Sequence, residues 1–242
     1  NYMRHIFKPQ DYLSKFDNVT QSESTNTIKS KYKSNEFTVY AEDDIRINRN
    51  IKLNGGLHYT MFGIAGTMYH SIEPRAAINL RLCDKASFKA SYTEMSQFMH
   101  LLSATYLNLP TDYWVPSTER ISPMRARQYA AGIYTKLPYG INFSIEGFYK
   151  TMNNLIEYDG SDGTLSPTAE QWENKVRTGK GKAYGMEADI SFRKAQTSVE
   201  ASYTLSWNRR LFPDFHYTWY PDKFDNRHKL SINLSHKFND RI

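Results

Sequence analysis

The chain has 242 residues, 40% of them hydrophobic and 23% charged, with a formal net charge of +6 and a pI near 9.2. Its Lys and Arg residues are scattered instead of forming a basic stripe, which argues against nucleic acid as a partner, and the single Cys83 excludes an internal disulfide framework and a thiolate metal site. No run approaches the roughly 20 apolar residues of a membrane helix, but that leaves barrel strands untouched, because they alternate and never produce a hydropathy peak.

Aromatic residues make up 14% of a chain whose mean hydropathy is -0.66, a heavy load for a sequence that otherwise looks soluble. Residues 1 to about 25 are polar and show neither a helical nor a strand period, so residues 1–32 read as an extracellular loop. Lys33 to Ile47 then alternates, with Phe37, Val39, Ala41, Asp43 and Ile45 on one face and Glu36, Thr38, Tyr40, Glu42, Asp44 and Arg46 on the other, Asp43 being the lone misfit near the strand end. Ile51 to Phe62 follows after the turn Asn48-Arg49-Asn50, and a Gly-containing connection from Gly63 to Tyr69 leads into Ile72 to Leu82. Pro74 removes a ladder donor, which places it near a strand start or a bulge. Cys83, beside a turn, reads as a half-buried apolar side chain.

Ser87 to Gln97 is the next alternating run, and a long loop from Phe98 to Ile121 separates it from the longest hairpin, Ser122 to Met152. There the turn Leu137-Pro138-Tyr139-Gly140 joins two runs, and in the return arm Ile141, Phe143, Ile145, Gly147 and Tyr149 oppose Asn142, Ser144, Glu146, Phe148 and Lys150. A second long loop runs from Asn153 to about Arg177. Strands over Gly179 to Arg193, about 199 to 207, and about 230 to 238 complete the pattern, the last two separated by a loop from Arg209 to Phe224.

Connections are about three residues at 48, 84, 138 and 194 but longer at 63, 98, 153 and 209. Tight turns at one end and elaborate loops at the other are the habit of an outer-membrane barrel, with short periplasmic turns and long extracellular loops. Mid-strand charges such as Lys89, Glu146, Glu187, Asp189 and Glu200 fall opposite the aliphatic series, so the wet face lines a lumen and the apolar face meets lipid. The chain is thus expected to be all-β, an antiparallel up-and-down transmembrane barrel segment with about nine strands over residues 33–239. Nine is odd, whereas single-chain bacterial barrels have even strand numbers, and residues 1–242 read as a piece of a larger barrel domain.

Catalytic patterns are missing: the sequence has no G-x-S-x-G, H-E-x-x-H or P-loop, and its seven His residues are not at ligand spacing. The expectation is therefore no enzyme, no metal site and no cofactor. The acidic pairs Asp43/Asp44 and Glu187/Asp189 are expected to form lumen-facing salt bridges to Arg46, Arg75 and Arg81 across strands. Gly179, Gly181 and Gly185 mark a strand start where a plug or a neighbouring backbone comes close. Recognition falls to the loops: Tyr113 and Trp114, within the proline-rich stretch Leu107 to Pro116; Trp172 and Arg177; and Arg209, Arg210, Trp219 and Tyr220. Aromatic faces beside guanidinium groups suit a sugar ring, an anionic metal chelate or a peptide. Trp and Tyr at strand ends also form interface girdles and stiffen loops, and for Trp114, Trp219 and Tyr220 both roles stay open.

The strings FTVYAEDDIRI (37 to 47), IEPRAAINLRL (72 to 82), FKASYTEMSQFMHLLSATYLNLPTDYWVPST (88 to 118), KGKAYGMEADISF (180 to 192) and WYPDKFDNRHKLSINLS (219 to 235) resemble the C-terminal barrel half of TonB-dependent outer-membrane receptors, particularly those of Bacteroidetes-type bacteria. The resemblance implies a 22-stranded barrel in the outer membrane of a Gram-negative bacterium, a plug and TonB-contacting segment lying outside this chain, and active import of a scarce nutrient such as a siderophore, metal chelate, glycan or other small molecule. Its implied partners are the TonB complex through that N-terminal plug region, the cargo, and membrane lipid. A passive porin or adhesin barrel, and a soluble β-rich ligand-binding domain, are the alternatives.

Overall fold

The computed structural model describes residues 1–8, 10–17, 22–29, 31–102, 113–159, 172–215 and 217–238, with the backbone alone for 10–17, 22–29 and 113. Fifteen strands are present among them: β1 (Tyr2–Phe7), β2 (Gln10–Asp17), β3 (Ser22–Lys29), β4 (Tyr32–Arg46), β5 (Ile51–Ile64), β6 (Thr67–Cys83), β7 (Ala86–Gln97), β8 (Met99–Leu102), β9 (Tyr113–Pro116), β10 (Met124–Leu137), β11 (Ile141–Tyr158), β12 (Val176–Lys194), β13 (Thr197–Leu211), β14 (Tyr220–Pro221) and β15 (His228–His236). Eleven form one sheet in the order β1-β4-β5-β6-β7-β10-β11-β12-β13, with β14 and β15 end to end on the outer edge of β13. Every pairing is antiparallel. Two hairpins, β2-β3 and β8-β9, lie off this sheet.

The register confirms the two faces strand by strand, because directly opposed residues of an antiparallel pair point the same way. One cross-strand row reads Phe88, Ile133, Ile145, Ala188, Tyr203, Leu230, and another reads Ile45, Leu53, Ile78, Ala90. The opposite face carries Asn54, Lys89, Tyr134, Glu146, Glu187 and Asp189. The apolar side chains are open across the sheet: Ile133, Ile190, Leu230 and Ile232 are among the exposed large hydrophobics. Such a surface is stable only where something apolar covers it.

Buried apolar side chains gather elsewhere. Phe62, Ile64, Phe98, Leu102, Val115, Ile121, Tyr158, Trp172, Val176 and Phe212 all lie at the strand ends away from the turns at 48–50, 84–85, 138–140 and 195–196. All but Phe212 fall into two clusters that share Tyr32 as a packing partner, and the Tyr69 hydroxyl donates to the Thr118 carbonyl at 2.5 Å to tie the strand ends to the loop. One end of the sheet therefore has a core while its span has none.

Several local expectations change. Residues 2–7 form an edge strand paired with β4, and residues 10–29 contain a hairpin, where a loop over 1–32 is expected; in β1 both faces carry apolar side chains, so the period is hidden. The connection from Gly63 to Tyr69 is no loop, because β5 runs to Ile64 and Ala65 and Gly66 make a two-residue turn with φ of 46° and 87°, the two positive values that a type I′ hairpin needs. Pro74 sits inside β6, at the residue beyond which the ladder to β7 ends. Cys83 is exposed at its turn. Arg75 pairs with Glu42 at 3.9 Å across the side-chain-free Gly56, and Arg81 with Asp84 at 2.7 Å within one turn, while Asp44 accepts from its cross-strand partner Asn54 and Glu146 from the Tyr134 hydroxyl; the register, and not the sequence spacing, sets these partners.

Gly179 and Gly185 hold the strands close: a Cβ at Gly185 would stand 2.4 Å from the Leu205 carbonyl oxygen, and one at Gly179 2.6 Å from that of Leu211, whereas at Gly55 it would meet nothing within 4 Å. Gly185→Ala is expected to lower the midpoint of thermal unfolding of the detergent-solubilised receptor, at a cost of about 1–3 kcal/mol. Gly55→Ala, measured in the same way, should be neutral or stabilising.

Candidate functional site

The wet face continues past the sheet's span into the long-loop end, and a bulge directs what it presents there. Asn154 takes φ 57° and the β11-β12 register slips between Asn153 and Leu155, which reverses the alternation and brings Glu157 round to the wet face opposite Arg177. The Asn154 side chain donates to the Pro123 carbonyl at 2.9 Å and holds the bulge to the start of β10.

Around Glu157 the structure assembles an ionic cluster. Arg177 contacts Asp159 at 2.6 Å and Asp214 at 3.8 Å; Arg210 contacts Asp222 at 2.8 Å and Glu157 at 3.8 Å. The Tyr220 hydroxyl donates to Glu157 at 2.8 Å and the Asn208 amide to Asp222 at 2.8 Å. Arg177, Arg210 and Tyr220, chosen from sequence as ligand contacts, are thus brought together, but two guanidinium groups face four carboxylates. The cluster braces the loop end and offers no bare cationic seat to an anion. Its acidic members come from positions 157, 159, 214 and 222, and no local spacing in the sequence marks them as neighbours.

The remaining residues disperse. Trp172 is fully buried among Leu102, Val115, Ile121, Tyr158 and Val176, so it anchors the cap and presents no face to a ligand. Trp114, on β9, is half exposed; of Tyr113 only the backbone is described, and residues 107–112 and 216 lie outside the described residues. Arg209 and Arg210 are adjacent on β13, so they point to opposite faces. Arg209 falls on the apolar side with Pro221 as its cross-strand partner, and the Lys182 ammonium lies 4.2 Å from the Trp219 ring.

That side carries an arrangement that only the register reveals. Tyr92, Tyr129, Tyr149, Tyr184 and Trp207 are successive cross-strand partners from β7 to β13, with ring centroids 4.9 Å apart for Tyr92 and Tyr129 and 5.4 Å for Tyr184 and Trp207. From this row to the hairpin turn β11 runs nine residues, Tyr149 to Ile141, matching the roughly 9 to 11 that a tilted strand needs to cross a bilayer. Among the described residues no group of His, Cys, Asp and Glu could hold a metal ion.

A family model described as "TonB dependent receptor-like, beta-barrel" matches residues 1–240. No curated protein sequence matches the chain. Among solved structures, the FrpB iron transporter from Neisseria meningitidis (F3-3 variant) aligns with a TM-score of 0.61 at 16% identity over 87% of this chain and 32% of its own. The ferripyoverdine receptor of the outer membrane of Pseudomonas aeruginosa aligns at 0.60, 20%, 89% and 27%. The alcaligin outer-membrane receptor FauA from Bordetella pertussis aligns at 0.54, 17%, 86% and 35%. The chain spans about a third of each of these receptors.

His100, fully buried beneath the ionic cluster's end of the sheet, meets the Ser117 hydroxyl at 3.0 Å through Nε2, and burial pushes its pKa from 6.5 down to about 4. A base with a depressed folded-state pKa contributes its full stability above 6.5 and loses it as pH falls toward 4, by about 3 kcal/mol across that window. Once the intrinsic pH dependence of exchange is divided out, the protection factors of the amides of residues 113–115 should therefore fall between pH 6.5 and pH 4 in the wild-type receptor and show little such slope in His100→Gln.

Proposed function

The chain belongs to the TonB dependent receptor-like β-barrel family, and from that premise we propose that it forms one wall of a barrel that imports a scarce nutrient, first among them a metal chelate of the siderophore class, with energy supplied through TonB. The observation that carries this reading is the pairing of an uncovered apolar face with a charged face along β4 to β7 and β10 to β13, ended on one side by tight turns and on the other by a cored, ionically braced cap. Lipid covers the first face. The second lines a lumen that a plug from elsewhere in the full-length protein fills and gates. The cap lies outside the cell, where cargo arrives, and the turns lie in the periplasm. Family and structural neighbours are transporters and receptors, not enzymes.

The chemistry at the cap refines the cargo contact. With Arg177 and Arg210 neutralised and Trp172 buried, Trp114, half exposed on β9, is an aromatic face still open to a ligand. An anionic chelate is then held by rings and hydrogen bonds, or by releasing an Arg from its carboxylates on arrival. Iron-limited cells carrying the full-length receptor should take up radiolabelled ferric chelate, and lose that uptake on deletion of the receptor or of TonB. Uptake that survives loss of TonB would replace this reading with a passive porin, and no loss of any chelate on receptor deletion would move the cargo to another class.

Ile145, opposite Ile133 and Ala188 on the apolar face, supplies the membrane test. Ile145→Arg is expected to cut the amount of folded receptor in the outer membrane, at a cost of about 2–4 kcal/mol if it sits at the midplane. Glu146→Gln, one residue on and facing the lumen, should assemble normally.

A further inference from the structure

We propose that the outer flank of the β5-β6 hairpin carries a site for a soft monovalent metal ion, Cu(I), made by the Met61 and Met68 thioethers and the His70 imidazole. The site lies on the side of the sheet opposite the charged face, apart from the ionic cluster, and goes beyond the import reading. The register brings the three side chains together: Met61 and His70 are direct cross-strand partners, and Met68 is opposite Gly63. All project from the apolar side, because Met61 and Gly63 continue the series Leu53, Leu57 and Tyr59 along β5 at two-residue steps. Directly opposed side chains have Cβ atoms about 5 Å apart. Met68 leans across to β5 over the side-chain-free Gly63, and its Sδ lies 3.3 Å from where a Cβ on Gly63 would stand.

Three physical features point to a metal ion instead of ordinary packing. The first is ligand chemistry. Two thioethers and an uncharged imidazole form a soft, neutral donor set, which suits Cu(I) and is a poor match for Zn(II), Ca(II) or Fe(III) in the absence of thiolates and carboxylates. The second is orientation. The Tyr59 hydroxyl lies 2.7 Å from His70 Nδ1, and the two rings stack with centroids 6.1 Å apart. With the ring proton on Nδ1 and donated to the phenol oxygen, the Nε2 lone pair is free for a metal, and this is how metal-bound histidines are held by their outer partners. The third is position. Met68 is 53% exposed and His70 is exposed too, although a thioether gains nothing from contact with water. Met61 and His70 stand six residues further toward the loop end than Gly55 and Ala76, which continue the Tyr92 row. That is about 20 Å along the strand, beyond the aromatic belt and open to ions from outside; this third point alone rests on the lipid-facing reading. Motif spacing conceals the site, because Met68 and His70 share one strand while Met61 comes from the other.

The test uses the full-length receptor in detergent and chloride-free buffer, with silver nitrate as a redox-stable probe of the same soft chemistry and native mass spectrometry to count bound ions. Folding is checked first by resistance of the barrel band to unfolding in detergent without heat. The wild type should retain one Ag(I) more than Met61→Leu/Met68→Leu, which keeps volume and apolar character, and one more than His70→Gln. The control Met95→Leu/Met186→Leu removes two exposed methionines whose cross-strand partners are Ala126, Gly147 and Leu205, and it should keep the wild-type count. Tyr59→Phe, with folding unchanged, should weaken Ag(I) binding about tenfold without removing it. Cu(I) supplied with ascorbate should displace the extra Ag(I), and Zn(II) should not. Should the double leucine variant fail to fold, the exposed His70→Gln carries the count alone. A count unchanged in the site variants, an equal loss in the Met95→Leu/Met186→Leu control, or displacement by Zn(II) would each overturn the proposal.

Discussion

Everything in this structure depends on an unbroken antiparallel register. Because opposed residues share a face, a single shift of one residue in any strand would send its aliphatic series into the lumen and its charges into lipid. The ladders from β4 to β13 hold without a slip across the span. Their irregularities fall outside it, at Arg81/Cys83 beside a turn and at Asn153/Leu155 where the strands leave the apolar band. Close contacts at Gly179 and Gly185 keep the ladders tight where side chains would force them apart.

The bulge at Asn154 links the spanning sheet to the cap. It rotates Glu157 onto the lumen side, and from there the carboxylates, Arg177, Arg210 and Tyr220 form a brace above the span. Beneath it Trp172 and its neighbours make a hydrophobic core of the ordinary kind, cut off from the membrane. The two halves of the molecule thus obey different physics: the span is stabilised by hydrogen-bonded ladders and by the lipid around it, the cap by burial and ion pairing.

The span was legible in sequence because alternation persists for about nine residues in strand after strand, and neither a helix nor a soluble sandwich strand sustains that. Elements with mixed faces were not legible. In β1, Tyr2 and Ile6 alternate with Met3 and Phe7, so both sides look apolar, and the Ala65-Gly66 turn lacks the Asn or Asp that usually announces a type I′ hairpin. Site reasoning fared according to distance along the chain. It picked out Arg177, Arg210 and Tyr220, which the structure brings to one end, but their acidic partners at 157, 159, 214 and 222 come from three segments that only folding joins. Trp172, flanked by Gln171 and Glu173, looks exposed and is not; Arg209 looks like the twin of Arg210 and faces the other way because β13 extends to Leu211. The row from Tyr92 to Trp207 exists only once the register is known.

The central claim is that the two faces of these strands meet lipid and water respectively. Single cysteine substitutions at each position from 141 to 149, in a full-length receptor with Cys83→Ser and reconstituted in vesicles, test it directly when each carries a fluorophore challenged by acyl-chain nitroxides and by a water-soluble quencher. Lipid quenching should peak at 141, 143, 145, 147 and 149 and aqueous quenching at 142, 144, 146 and 148. Equal access of the aqueous quencher to both sets, or a profile without the two-residue period, would contradict the account.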